Sequence, residues 1–166
     1  MLGSGADLMP EKETLERARE DEREGKAAST QAGEFVREEM HHVREGKHGA
    51  QSTKQAIAIG LSKARRAGVK LQAPQQGKTS QETREKASRD LSKGRSGARK
   101  KPSARRSRAT TKALKREGGS AASPQSLSKQ ARSSARKTGR SQAARKAART
   151  KGKAGRAHAA RTRAAA

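Results

Sequence analysis

Of the 76 residues from Leu91 to Ala166, 24 are Lys or Arg and one, Glu117, is an acid. The local charge of +23 is nearly the whole +25 of the chain. No aromatic residue lies in this stretch, and its only large apolar residues are Leu91 at the edge, Leu114 and Leu127. So little apolar surface cannot offset the conformational entropy lost on folding, so the stretch by itself is expected to be disordered. Its charges repel one another and call for a dense polyanion, and nucleic acid fits that charge density best.

The rest of the chain sets the scale of any core. Leu, Ile, Val and Phe together number 14 of 166 residues, far below the level of ~20% under which a highly charged chain usually stays unfolded. Nine of the larger apolar residues fall between Phe35 and Leu71, so a core, if small, belongs there. The absence of Cys excludes disulfides and thiolate metal sites. The longest apolar run is Ala56-Ile57-Ala58-Ile59, too short for a membrane span. The first residues lack the basic-then-apolar pattern of a secretory signal, and their acidity argues against a transit peptide. The expectation is a soluble cytoplasmic protein.

Charge and pattern divide the chain. Residues 1–45 carry a net −5, residues 46–90 a net +7. We expect a mainly α protein: a small helical hairpin with extensive intrinsic disorder and no sheet. Residues 1–32 form an acidic segment with a marginal helix over 10–24. There Pro10 suits the first helical turn, Glu11, Glu13 and Glu16 suit its positive end, and Leu15 is the lone large apolar residue. Residues 33–71 form a helix-turn-helix-like hairpin. In its first helix, 33–45, Val36, Met40 and Val43 recur at i, i+4, i+7 beside Phe35. Its second helix, about 53–67, starts at a Ser52–Gln55 capping box, shows Ile57, Leu61 and Ala64 on one face, and stops at Gly68, after which Val69 and Leu71 can fold back. Gly60 inside this helix costs about 1 kcal/mol relative to Ala. Either it lets two helices approach closely or the helix merely tolerates it. Residues 72–95 read as a linker and a polar helix opened by Thr79 and Glu82, and residues 96–166 as a basic, disordered Lys/Arg/Ala/Ser-rich tail with short helical patches.

A repeated string supports this division. Arg23-Glu24-Gly25-Lys26 is followed by Ser29-Thr30-Gln31-Ala32, and Arg44-Glu45-Gly46-Lys47 by Ser52-Thr53-Lys54-Gln55-Ala56. It reads as helix stop followed by helix start: Gly in the left-handed cap, a cation at the negative helix end, then a Ser or Thr cap. A fainter third copy, Arg116-Glu117-Gly118-Gly119-Ser120, is left without a role.

The expected nucleic-acid contacts are Lys63, Arg65 and Arg66 on the hairpin. In the tail they are Arg99, Lys100, Lys101, Arg105, Arg106, Arg108, Lys112, Lys115, Arg116, Lys129, Arg132, Arg136, Lys137, Arg140, Arg145, Lys146, Arg149, Lys151, Lys153, Arg156, Arg161 and Arg163. Arg132, Arg136 and Arg140 recur four apart, as do Arg145, Arg149 and Lys153. Like charges at that spacing oppose helix formation until phosphate neutralises them, so the tail is expected to be coil alone and partly helical on DNA or RNA. The chain has no Asn, so the Asn–adenine pair is unavailable, and one Phe gives no stacking platform. Binding should be largely independent of base sequence. The hairpin allows two readings. Residues 53–67 could read DNA with Lys54, Lys63, Arg65 and Arg66, or the pair could be a packing and dimerisation unit whose small apolar face favours self-association.

His41, His42 and His48 lack the spacing of a known zinc motif and read as surface histidines; no metal, cofactor or catalytic residue is expected. Glu38, Glu39 and Glu45 read as partners of Arg37 and Arg44 or of the basic tail. No phosphate loop, nucleophile elbow or catalytic carboxylate pair is present, so an enzyme is not expected.

The run Lys54-Gln55-Ala56-Ile57-Ala58-Ile59-Gly60-Leu61-Ser62-Lys63-Ala64-Arg65, within residues 34–71, resembles a family of small basic bacterial and phage proteins catalogued as a domain of unknown function. The resemblance implies a bacterial source and a helical hairpin, and supplies no activity. The tail is similar in composition to bacterial histone H1-like proteins, which implies association with the nucleoid. Together these readings lead to an expectation of non-enzymatic DNA binding that bridges or compacts duplexes. The alternatives are an RNA-binding or ribosome-associated factor, and a protein-interaction module tethered electrostatically to anionic surfaces without membrane insertion.

Overall fold

The repeated string does punctuate the chain. Gly25 and Gly46 adopt left-handed φ angles of 73° and 71°. Each lets the next residue close the helix before it, Lys26 N–H on Asp21 O and Lys47 N–H on His42 O, at 2.8 and 3.0 Å. The helices so delimited are α1, Lys12–Arg23, and α2, Ala28–Arg44. The computed structural model describes residues 9–97 and 103–139, and its described residues are helical with no strand. Helix α3 spans Thr53–Ala67, α4 Gln81–Arg95 and α5 Ala104–Lys115. A 3-10 turn follows at Gly119–Ala122, and residues 124–139 are helical.

Three boundaries differ from the sequence reading. Helix α2 starts at Ala28 rather than 33, and neither Ser29 nor Thr30 is its cap. The extra turn buries Ala32 fully beside Ala18, Phe35 and Ala64, a gain that outweighs the roughly 1 kcal/mol cost of Gly33. At α3, Ser52 Oγ accepts from Gln55 N–H at 3.2 Å as expected, but Gln55 Oε1 reaches back one residue further, to Gln51 N–H at 2.8 Å. Helix α4 is capped by Ser80, whose Oγ accepts from Thr83 N–H at 3.3 Å. Thr79 stands outside the helix, and Glu82 pairs with Lys86 across one turn at 2.6 Å.

Helices α2 and α3 form the expected hairpin, and Gly60 is where they touch. A Cβ built on Gly60 would lie 2.7 Å from Val36 Cα and 3.0 Å from Phe35 O. Those are backbone atoms that cannot swing away, so close approach is the reason for this glycine. The hairpin is flanked on both sides, α1 packing on α2 and α4 on α3. Gly94 serves at the second contact: its Cβ would fall 2.0 Å from Arg65 O. Two apolar clusters result. One joins Met40, Val43, Ala50, Ala56, Ala121 and Ala122. The other joins Ala18, Ala32, Phe35, Ala64 and Val69, with Leu71 partly buried beside it.

The packed unit reaches beyond the hairpin along the chain, to Leu127. Gly49 N–H donates to Leu114 O and Ala50 N–H to Gly118 O, at 3.0 and 3.2 Å. Thr53 Oγ1 donates to Ala121 O at 2.6 Å, and Arg44 Nε to Ala122 O at 3.0 Å. Leu114, Ala121 and Ala122 are buried. The third copy of the repeated string therefore stands at the end of α5 and also acts as a docking strip. Its Gly118 has an ordinary φ of −78°, and Gly49 is required opposite it because a Cβ there would collide with Glu117 O at 1.9 Å.

Residues 128–139 belong to a second unit and are helical, with 131–139 all exposed. Helix is thus present over 104–115 and 124–139, where short helical patches were expected, and it forms there without the phosphate that like-charge repulsion was expected to require. The local reason is visible at both starts: Ser103 Oγ accepts from Arg106 N–H, and Ser123 Oγ from Ser126 N–H. Disorder was expected over residues 96–166, of which 98–102 and 140–166 lie outside the described residues. Among the described residues no helix is long and apolar enough to cross a membrane.

Candidate functional site

Two of the three hairpin cations expected to meet nucleic acid point the other way. Lys63 is 3% exposed, with Nζ 2.8 Å from Glu39 Oε2 and 3.5 Å from Glu38 Oε1. Arg65 is also buried; its Nε donates to Leu71 O at 3.1 Å and an Nη to Gln72 O at 3.4 Å, pinning the chain that leaves α3. Burial pushes its guanidinium below the ordinary arginine range, and Asp90 opposes that shift. Arg66 is exposed, but its Nε lies 3.3 Å from Asp90 Oδ1 and it donates to Ser62. Helix α3 is packed between α2 and α4; of its four cations Lys63 and Arg65 are spent inside the fold, while Lys54 and Arg66 are exposed. Of the two readings of the hairpin, this burial favours the packing unit over the DNA-reading helix, and it places Lys63 and Arg65 away from the surface on which nucleic-acid contacts were expected.

The basic residues of α5 behave differently. Arg105, Arg106, Arg108, Lys112, Lys115 and Arg116 are all exposed. None of the six has a carboxylate partner among the described residues. At 3.6 residues per turn, Arg105, Arg108, Lys112 and Lys115 fall within an arc of about 80°, and Leu114 lies roughly opposite. The apolar residue that holds the helix end thus turns the basic face outward. In the second unit Lys129, Arg132 and Arg136 repeat the same spacing of three and four, and they and Lys137 are exposed. Arg99, Lys100, Lys101, Arg140, Arg145, Lys146, Arg149, Lys151, Lys153, Arg156, Arg161 and Arg163 lie outside the described residues.

The acidic segment is engaged within its own neighbourhood. Glu34 holds Arg17 at 2.8 Å and Arg37 at 3.1 Å, and Asp21 holds Lys26 at 2.8 Å. Glu22 reaches Lys70 at 3.1 Å. Glu11 Oε1 accepts from His42 Nε2 at 2.8 Å and from Lys47 Nζ at 3.1 Å. Those two bonds, His42 first, hold its carboxyl down at about 2. Glu45 is lowered by Lys47 in the same group. The described acids do not reach for the basic face of α5.

A buried ionic cluster is the feature sequence reasoning missed. Glu39, His42 and His48 are 0%, 3% and 4% exposed, so two of the three histidines read as surface residues are core residues; only His41 is on the surface, paired with Glu45 at 2.9 Å. Their ligand atoms lie within 4.8 Å of one another. His48 Nε2 is 3.3 Å from Glu39 Oε1, and His48 Nδ1 is 3.2 Å from Gly49 O. A signal was present: Glu39 and His42 follow Phe35 at i+4 and i+7, on the side of α2 that faces α3. The apolar stripe Val36, Met40, Val43 marked only one edge, about 60° wide, of a buried face that spans about 240°.

A family of unknown function, DUF6496, matches the chain over residues 25–76, from the turn before α2 to the linker after α3. No curated protein and no solved structure matches.

Proposed function

We propose that this chain binds nucleic acid without enzymatic chemistry, duplex DNA in preference to RNA, as a nucleoid-associated protein of the bacterial cytoplasm akin to small basic bacterial and phage proteins. The observation that supports this reading is the exposed, carboxylate-free basic face of α5, repeated in spacing by Lys129, Arg132 and Arg136. Over the eleven residues from Arg105 to Lys115 the cations run along about 15 Å of helix, against a duplex carrying one charge per ~1.7 Å of axis. Arg and Lys there meet phosphates, not base edges, so binding tolerates sequence. Cations on both sides of the docking strip 114–122, with more beyond residue 140, suit contact with two duplexes and hence bridging or compaction.

The test is a gel-shift titration of the full chain at 50 and 200 mM salt, with duplex DNA, structured RNA and anionic vesicles as competitors. With 6–10 phosphate contacts, affinity for duplex DNA should fall about 10³–10⁵-fold between those salts. RNA winning the competition would move the reading to an RNA-binding or ribosome-associated factor. Binding that ignores salt, or that is absent at 50 mM, would overturn it.

A further inference from the structure

We propose that Glu39, His42 and His48 form a binding site for one divalent transition-metal ion of the zinc class, independent of the nucleic-acid reading. The donor set, two imidazoles and a carboxylate, is a recurrent one for zinc, and tetrahedral bonds of ~2.0–2.1 Å put ligand atoms about 3.3 Å apart. His48 Nε2 and Glu39 Oε1 already stand 3.3 Å apart, and all three donors lie within 4.8 Å of one another.

Hydrogen bonds on the far side of each ring orient the donors. Glu11 Oε1 accepts from Lys47 Nζ at 3.1 Å and stands 2.8 Å from His42 Nε2, so Nε2 donates there and the lone pair sits on Nδ1. Nδ1 of this deeply buried ring has no hydrogen-bond partner among the described residues. His48 Nδ1 faces Gly49 O, a carbonyl that can only accept, so its proton is there and Nε2 presents a lone pair. That lone pair faces a carboxylate oxygen. Two acceptors held 3.3 Å apart in a dry interior need a positive charge between them. Carboxylate and carbonyl partners on the outer nitrogens are what metal-bound histidines generally have.

Charge points the same way. Glu38 and Glu39 are both buried, with one ammonium, Lys63, between them. Lys63 sits on Glu39 Oε2 and leaves Oε1 to the ion. A cation at this place ties α2 to the loop after Gly46, whose Gly49 and Ala50 carry the docking strip 114–118. The ion is then a structural one that fixes the base from which α5 projects.

Titration of the full chain with Co²⁺ tests the assignment. We expect one equivalent bound, a tetrahedral visible spectrum, and its loss on adding Zn²⁺. His42→Gln and His48→Gln should abolish that spectrum and His41→Gln should keep it. Glu11→Gln leaves all three donors in place and should weaken affinity about 10- to 100-fold by loosening the His42 ring. Should the two core histidine variants fail to fold by circular dichroism, the wild-type stoichiometry and the Glu11→Gln loss decide. No uptake by the wild-type chain, which would leave a proton as the charge between His48 and Glu39, would overturn the proposal. So would a Co²⁺ spectrum unchanged in folded His42→Gln and His48→Gln, or an affinity unchanged in Glu11→Gln.

Discussion

Helix α2 buries nine of its 17 residues; α5 buries one of its 12. Both are regular and both carry several charges. In α2 the charges turn inward and are consumed: Glu34, Glu38, Glu39 and His42 each meet a partner from another helix or loop. In α5 the charges turn outward and meet none among the described residues. Helix α5 persists on its Ser103 cap, its Ala content and the anchor at Leu114. The comparison teaches that a charged helix in this chain can be either a piece of core or a presented surface, and that the neighbours it packs against decide which.

The sharpest way to break this distinction is to remove one lysine from each side. Lys63→Ala strands two buried carboxylates and should cost about 3–5 kcal/mol, read as a lowered midpoint in urea denaturation. Lys112→Ala should change stability by no more than about 0.5 kcal/mol while reducing the salt slope of DNA binding by about 1. Equal stability effects would dissolve the comparison. Next in size, Gly49→Ala pushes a methyl into Glu117 O and should cost about 1–3 kcal/mol. It should do so selectively: amide hydrogen exchange should speed up over residues 114–122 and stay slow in α2 and α3. Loss of protection throughout would mean that the strip and the hairpin are one cooperative body. The smallest effect concerns the caps. Ser52→Ala should cost about 1 kcal/mol of global stability, whereas Ser103→Ala should lower helical circular dichroism without moving the urea midpoint, because α5 contributes only Leu114 to the buried interior.

Much of the helical layout was legible. The stop signals at Gly25, Gly46 and Gly68 and the start at Ser52 are local chemistry, set by φ angles and by hydrogen bonds between near neighbours, so they can be read from a short string. The identities of Lys63, Arg65, His42 and His48 as interior residues were not legible. Each is polar, and its burial depends on a partner far along the chain: Glu39 for Lys63 and His48, Glu11 for His42, and the backbone beyond Gly68 for Arg65. Composition counts such residues as surface because an isolated buried charge is costly, and only the partner removes that cost. The docking of residues 114–122 escaped for a similar reason. Ala121 and Ala122 look like any alanine of a basic tail until Thr53 and Arg44 reach their carbonyls.

By itself, then, the sequence determined that the chain is helical, where its first helices stop, and that its positive charge is concentrated toward the carboxyl end. Those properties follow from backbone geometry and from charge, which need no distant partner. Tertiary structure alone decided which cations are spent in the core and which are presented, and that two histidines and a glutamate share one dry site. Desolvation forces a buried charge to find its counter-charge, and only folding sets which residues are near enough to supply it.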